Sequence, residues 1–396
     1  LAAGKGKRMQ SNRPKVLQPL AGRPLLAHVL ETVQRLGAEQ ELVVIGHQAE
    51  QIRTAFAEHP AVQWIEQTEQ LGTGHAVAQA LPAIADSQML LVLYGDVPLV
   101  PVATLENLLA QAQHCGLALL SVALDNPSGY GRVVRDASGQ VLRIVEQKDA
   151  SLAEQVITEV NSGILAARAV DLRRWVGQLN RNNAQGEYYL TDCIALAVQQ
   201  GLAVHAVLAT DPLSVQGVND RAQLAALERA YQWQQAQALL TAGATLADPA
   251  RLDVRGSVTL GRDVFIDVGV IFEGEVELGD RVQIGPYCVI RNSRIAADSE
   301  ILAYSHLDSA QVGEQAHVGP YARLRPGAQL AQQARVGNFV EIKQAQLGVG
   351  AKVNHLTYIG DAEIGPEVNV GAGTITCNYD GVNKSKTVIE QGAFIG

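Results

Sequence analysis

No run of apolar residues in this 396-residue chain approaches the ~20 needed to cross a bilayer as a helix, so no membrane insertion is expected. Cysteine is scarce as well. Cys115, Cys193, Cys288 and Cys377 are widely scattered and lack the paired spacing of a metal site. Free thiols, and no visible signal-peptide pattern, point to a cytoplasmic protein. Positive charge is the minority sign, 31 Lys and Arg against 40 Asp and Glu. The net charge of −9 argues against a nucleic-acid partner, because a surface that tracks phosphates needs a basic excess. A Gly-Lys-Ser/Thr phosphate loop is also missing, which excludes a Walker-type nucleotide site.

What is abundant is a period. From Leu260 to Thr376 an apolar residue returns every sixth or fifth position: Leu260, Ile266, Phe272, Leu278, Ile284, Ile290, Ile295, Ile301, Leu307, Val312 and so on to Val370. A step of six suits neither a helix nor a hairpin sheet. It suits short strands joined by tight corners, where glycine is expected to supply the turn. Such a pattern is a hexapeptide β-helix. The five-residue steps follow Ile290, Leu307, Ile342 and Ile359, so three steps make a triangular coil of 17 or 18 residues. Residues that far apart should stack on adjacent coils, about 4.8 Å from each other.

The first half reads differently. Apolar strands alternate with amphipathic helices: a helix near 25–36, strands near 42–45 and 62–65, a helix over 72–83, a strand over 89–93, a helix over 102–114 and a strand over 117–123. This pattern is α/β and doubly wound, and such sheets bind ligands at the carboxyl ends of their strands. The opening segment LAAGKGKRM places Gly4 and Gly6 after a strand end, with Lys5, Lys7, Arg8, Arg13 and Lys15 nearby. Exposed backbone N–H groups and cations make a plausible phosphate cradle, although a solvated basic turn would look the same. Gln67, Gly72 and Thr73 suit the edge of a base. Tyr94-Gly95-Asp96 puts a carboxylate at a strand end, either for Mg²⁺ on phosphate or as the N-cap of the next helix. Residues 125–149 read as a hairpin turning at Ser138-Gly139 and walling off a pocket. The polar loop 182–192 could bind sugar hydroxyls or cap a helix, and Asn219 is a second possible metal ligand. A long helix over 219–243 separates the halves.

Within the repeats most polar residues decorate a scaffold, unless several converge. Arg325 and Lys343 lie one coil apart and offer two cations to a phosphate. Glu341 and Tyr358 lie 17 apart. His355 stands in the same region, and the hexads break only after Thr376, where residues 377–386 loop out. Taken alone, His355 would be structural; the constellation favours a site formed between subunits.

Taken together, LAAGKGKRM, RPKVL, EQLGTGHA, LYGDVPL, GYGR, VEQKDA, VNSGI, QGEYYLTD and GVNDR resemble the bacterial bifunctional N-acetylglucosamine-1-phosphate uridylyltransferases/glucosamine-1-phosphate N-acetyltransferases over essentially the whole chain. The resemblance implies a Rossmann-like nucleotidyltransferase domain over 1–218, a linker helix over 219–243, and a left-handed parallel β-helix acetyltransferase domain over 244–396 that trimerises. It also implies a chain cut at both ends, with the β-helix C-terminally incomplete. On this likeness Leu1, Ala2, Ala3, Gly4 and Lys15 would contact the nucleotide, with Arg8 at the triphosphate. Gln67, Gly72 and Thr73 would read uracil; Tyr94, Gly95 and Asp96 would line the site. Gly131, Glu146 and Asn161 would hold the amino sugar beside Tyr189 and Thr191, and Asp96 and Asn219 would bind Mg²⁺. In the β-helix, Arg325 and Lys343 would hold the sugar phosphate, and Tyr358 and Asn369 the sugar. Ala372, Asn378 and Tyr379 would lie near acetyl-CoA, and Lys384 would serve either phosphate or coenzyme A. His355 would be general base, with Glu341 orienting it. UTP and acetyl-CoA would be the co-substrates and UDP-N-acetylglucosamine the product, feeding cell-wall and lipopolysaccharide synthesis. The alternative is a sugar-1-phosphate nucleotidyltransferase whose β-helix only oligomerises or regulates.

Overall fold

The computed structural model describes residues 1–396, in two compact units, Leu1–Leu227 and Glu228–Gly396. No helix is long and apolar enough to cross a membrane.

In the first unit the apolar runs become strands and the periodic ones helices. In chain order these are α1 (Leu25–Arg35), β1 (Glu41–Ile45), α2 (Ala49–Ala55), β2 (Val62–Glu66), α3 (Thr73–Ala80), β3 (Met89–Val92), α4 (Val102–Cys115) and β4 (Leu117–Ala123). They continue with β5 (Arg132–Arg135), β6 (Val141–Val145), β7 (Glu159–Arg168), α5 (Ala169–Val176), α6 (Asp192–Gln199) and β8 (Val204–Ala209). The main sheet runs β8–β4–β7–β5–β6, with β3 also on β7. It is mixed rather than uniformly parallel: β8 and β4 are parallel, whereas β7 is antiparallel to β3, β4 and β5. Beta-4 is buried along nearly its whole length, because helices and neighbouring strands cover both of its faces. The parallel pair β1–β2 forms a separate small sheet. Ala2 joins its edge through Ala2 N–H to Val44 O (2.7 Å), while Gly95 N–H donates to Leu1 O (2.9 Å). The opening residues therefore bridge β1 and the end of β3. The expected hairpin is β5–β6, turning at Gly139 with φ +84°.

Helix α7 (Arg221–Thr241) occupies most of the stretch expected to be helical, and the second unit begins within it, at Glu228. Its strands pair in parallel with the register the period demands: Ile290 opposite Leu307, Leu307 opposite Leu324, Leu324 opposite Ile342, and Ile342 opposite Ile359. Of the 21 hexad positions all but Leu260 are buried. A second inward column, two residues earlier, escaped the sequence reading because it is small and varied. It contains Val264, Val282, Cys288, Ser299, Ala316, Ala334 and Ala351, all buried.

The corners correct one expectation. The left-handed turn residue is usually not glycine: Asp263, Tyr287, Asn292, Tyr304, Tyr321 and Phe339 all have φ between 44° and 59°. Six-residue steps place it three positions after the apolar residue and five-residue steps two, so the short steps are shortened corners. Many glycines that directly follow the apolar residue serve a different need. A Cβ on Gly279 would lie 2.6 Å from Ala297 N, so the next coil's backbone leaves no room for a side chain. The stacked corners also align Tyr287, Tyr304, Tyr321 and Phe339 into a column with ring centroids 5.0–5.4 Å apart. After Ile364 the spacing between paired residues rises to 25 (Ile364 opposite Ile389), because the chain loops out where the hexads break.

Candidate functional site

In the first unit three groups of side chains meet at strand ends. Lys15 reaches the first of them from a short 3-10 turn, and its Nζ is ion-paired with Asp96 Oδ2 and lies 3.4 Å from Asn219 Oδ1. Asp96 follows β3, and Val218 N–H donates to its carbonyl (2.9 Å), which holds the segment before Asn219 against it. The N-cap reading of Asp96 does not apply, since the next helix begins at Val102 behind Pro101. Two hard oxygens thus converge on a cation, and this donor set suits Mg²⁺. No cluster of three or more His, Cys, Asp or Glu side chains poised for a metal is present, so phosphate oxygens and water would complete such a shell.

The second group lies at the start of α3. Gly72 has φ +115°, and a Cβ there would come 2.6 Å from Tyr188 O. Gln67 is buried at 2% exposure, and its Nε2 donates to Gly72 O (3.1 Å). Thr73 Oγ1 accepts from Leu190 N–H (3.1 Å). The third group gathers around the β5–β6 hairpin. Asn161 N–H donates to Gly131 O (2.8 Å), and a Cβ on Gly131 would crowd Glu146 Oε2 at 3.2 Å. Thr191 Oγ1 donates to Glu146 Oε1 (3.0 Å). Thr191 stands at the N-cap position of α6, but its side chain makes no capping hydrogen bond and turns to Glu146 instead. Burial pushes the Glu146 carboxyl above its ordinary range; the Thr191 bond opposes this, and Asp192, Asp149 and Glu187 add to it. Tyr189 is buried, accepting from Gln185 Nε2 (2.9 Å) and facing Asp149 Oδ2 at 3.3 Å.

Tyr94 ties the groups together. Burial raises its phenol well above the usual range, as do the charges of Asp96 and Glu146, while a hydrogen bond with Thr73 opposes them. Its ring covers Gly163, where a Cβ would lie 2.7 Å from Cε2. Arg8 and Gly4 are exposed, but the Arg8 charge is felt by the Tyr130 phenol, which places it on the same side as the hairpin loop. Ala2 and Ala3 are buried backbone contacts. The sequence reading assigned no role to His75, Asp149, Gln185 or Tyr188, although all four lie within motifs it had singled out.

In the second unit the coil register sets Arg325 level with Lys343, and Arg325 N–H donates to Ile342 O (2.8 Å). Lys343 in turn lies opposite Gly360. A Cβ on Gly360 would meet Tyr358 Cζ at 2.7 Å and Asn378 Nδ2 at 2.8 Å, so the glycine lets both side chains fold over the strand. Asn378 also bonds Asp361, and Ser385 N–H donates to Asn378 O (2.9 Å), which anchors the extruded loop. In that loop Tyr379 is exposed, its hydroxyl on Gly381 O (2.6 Å) and its backbone bridged to Lys384. Asn369 pairs with Lys352 on the preceding coil, and Ala372 is exposed.

One orientation differs from the sequence expectation. Glu341 does not bond His355; its carboxylate accepts from Arg325 Nη1 (2.8 Å) and Arg323 Nη1 (3.5 Å). His355 Nδ1 instead meets Asn338 Oδ1 at 3.2 Å, and the two residues are cross-strand partners. With that oxygen accepting, the ring proton sits on Nδ1 and the Nε2 lone pair is open to solvent. Asn338 stands 17 residues before His355, so the register used for Arg325 and Glu341 would have found it.

These sites define a nucleotidyltransferase joined to a hexapeptide-repeat transferase. Residues 1–162 match the MobA-like NTP transferase domain family, and residues 257–292 match the bacterial transferase hexapeptide (six repeats) family. The chain is 57% identical over all 396 residues to the bifunctional protein GlmU of Marinobacter nauticus and 58% identical to that of Burkholderia thailandensis. To the GlmU of Bordetella parapertussis it is 58% identical over 400 aligned positions. In each case all of this chain aligns with 87% of the relative. The chain belongs to the bifunctional GlmU family. The structure of apo UDP-glucose pyrophosphorylase aligns with 59% of this chain at 15% identity and a TM-score of 0.47, too distant a likeness to bear on function.

Proposed function

We propose that the chain makes UDP-N-acetylglucosamine in two steps: acetyl transfer from acetyl-CoA to glucosamine-1-phosphate, then uridylyl transfer from UTP with release of pyrophosphate. Residues 1–218 carry the second step, 219–243 link, and 244–396 carry the first. The observation that carries this reading is Tyr94, which stands two residues before Asp96 of the cation pocket and packs its ring on Gly163, two residues after Asn161 of the sugar pocket. A triphosphate and a sugar phosphate can therefore meet in one cleft.

The oxygen of a sugar phosphate is already nucleophilic at neutral pH, so uridylyl transfer needs alignment and charge neutralisation rather than a base. Asp96 and Asn219 would hold Mg²⁺, which would supply positive charge beside the phosphates. Lys15 and Arg8 add theirs on the nucleotide side. Gln67, Gly72 and Thr73 take the uracil; Gly131, Glu146, Asn161 and Thr191 hold the acetylated sugar. In the β-helix His355 Nε2 takes a proton from the amine as its nitrogen attacks the thioester carbonyl, since an ammonium has no lone pair to give; the C–S bond then breaks and coenzyme A leaves as the thiol, taking up that proton. Asn338 holds the ring, and Arg325 with Lys343 takes the sugar phosphate.

A homotrimer joined through the β-helix is supported by the column Tyr287, Tyr304, Tyr321 and Phe339, whose rings are about half exposed and form an apolar strip that a neighbouring copy would cover. The compartment is cytoplasmic, consistent with four free cysteines. One assay tests the whole: glucosamine-1-phosphate, acetyl-CoA, UTP and Mg²⁺, with acetylated and uridylylated products separated. Uridylyl transfer to supplied N-acetylglucosamine-1-phosphate without any acetyl transfer would leave the β-helix an oligomerising module.

A further inference from the structure

Beside the base-reading residues lies a small amide–imidazole network. Gln67 Nε2 is 3.1 Å from Gly72 O and 3.0 Å from His75 Nδ1, and Gln79 Nε2 is 3.2 Å from His75 Nε2. The donors and acceptors of this network can be assigned by chemistry alone. A carbonyl oxygen only accepts, so the Gln67 atom facing Gly72 O is the NH2 group. Both of its hydrogens are then engaged, one on Gly72 O and one on His75 Nδ1. That nitrogen must be an acceptor, which places the imidazole proton on Nε2. Gln79 must therefore turn its own oxygen toward Nε2–H. It is free to do so, because its other bond is a 3.4 Å contact to the His75 backbone carbonyl.

The consequence falls on the free end of Gln67. Its Oε1 receives no hydrogen bond from the protein and is not sealed from solvent, so within a residue only 2% exposed it is the acceptor left open to a ligand. The Gly72 N–H, at the start of α3, donates to no protein group either. An acceptor and a donor side by side complement a pyrimidine edge with a ring N–H next to a carbonyl, as in uracil. Cytosine presents a lone pair at that nitrogen and would face Oε1 with repulsion.

We propose that His75 is a positioning residue for base selection, its Nδ1 fixing the Gln67 amide with Nε2 inward and Oε1 toward the base. The proposal rests on the reading that Gln67 faces the base of the nucleotide. His75 is itself held by the Tyr188 ring, stacked at 6.3 Å, whose backbone carbonyl accepts from Gly74 N–H (2.8 Å). Without the imidazole acceptor only the Gly72 carbonyl, at 3.1 Å, opposes rotation of the Gln67 amide, so the flipped amide becomes more populated.

The test compares kcat/KM for UTP and CTP, at saturating sugar phosphate and Mg²⁺, in the full chain and in three variants. His75→Phe keeps the ring but removes the acceptor, and it should lower the UTP/CTP ratio by on the order of tenfold, the worth of one mispaired buried hydrogen bond. Most of that loss should appear in KM for UTP. His75→Asn restores an acceptor at the Nδ1 position and should recover the ratio to within about threefold. A ratio unchanged in His75→Phe, or equally lost in both variants, overturns the proposal. Gln67→Leu separates the two levels of argument: a collapsed ratio there with an intact one in His75→Phe sinks only the role of His75. An intact ratio in Gln67→Leu removes the base-reading assignment and the proposal with it. Imidazole ¹⁵N shifts give a check independent of turnover, since a proton on Nδ1 in the wild-type chain contradicts the assignment.

Discussion

The Lys15 ammonium is ion-paired with Asp96 and lies 3.4 Å from Asn219 Oδ1, so a side-chain cation stands where the two oxygens proposed for Mg²⁺ converge. Both partners of the pair are 15% exposed, so water screens it only in part. Lys15 can serve phosphate only after leaving Asp96, and a divalent cation arriving there would release it. Lys15→Gln should therefore tighten Mg²⁺ binding in the absence of nucleotide by roughly fivefold, the weight of an ion pair near 1 kcal/mol, while slowing uridylyl transfer. Titration calorimetry and initial rates read the two effects separately.

Asp96→Ala should cost more turnover than Gln67→Ala, because it removes charge at the phosphates rather than a contact to the base. A loss of about 100-fold or more in uridylyl transfer is expected, with acetyl transfer unchanged. Near-normal uridylyl transfer at saturating Mg²⁺ would count against the metal assignment.

His355→Ala should reduce acetyl transfer by about 100-fold or more, as befits a general base. Asn338→Asp tests the tautomer. A carboxylate beside Nδ1–H stabilises the imidazolium, so a higher pH is needed to free the base. The acidic limb of the kcat/KM profile for acetyl transfer should move up by about one pH unit, while uridylyl transfer keeps its own profile.

Glu146 has its pKa raised chiefly by burial, so its ionised form is disfavoured in the folded state. The folded chain then binds more protons than the unfolded chain as pH rises from the unfolded pKa through the folded one, and stability falls over that window. Glu146→Gln should remove this cost. The variant should melt higher than wild type at neutral pH and equally at pH values below the unfolded pKa. It should also raise KM for the sugar phosphate by about tenfold. A thermal-melt series against pH checks the first outcome and steady-state kinetics the second.

Gly279→Ala tests the reason given for the glycines of the repeat. The added methyl would meet the backbone of the next coil at Ala297, so stability should fall by about 1–3 kcal/mol in denaturant unfolding. A neutral result would mean that the coils separate more easily than their packing suggests.

Sequence alone determined what is periodic or local. A side-chain repeat of six has one geometric solution, so it fixed the solenoid, the coil length, and the stacking of Arg325 with Lys343. The alternation of apolar runs likewise placed nearly every strand of the first unit within a residue or two. Contacts between distant segments could not be read in this way, because nothing in the local pattern of Lys15, Asp96 and Asn219 encodes their meeting. The coil register already sets His355 level with Asn338, but only tertiary packing turned Glu341 to two arginines and away from the imidazole. Close approach of neighbouring coils, rather than turn conformation, fixed Gly279. The amide of Gln67 was decided by a carbonyl five residues ahead and an imidazole eight residues ahead, because a hydrogen-bond direction depends on atoms that only the fold brings to 3.1 and 3.0 Å.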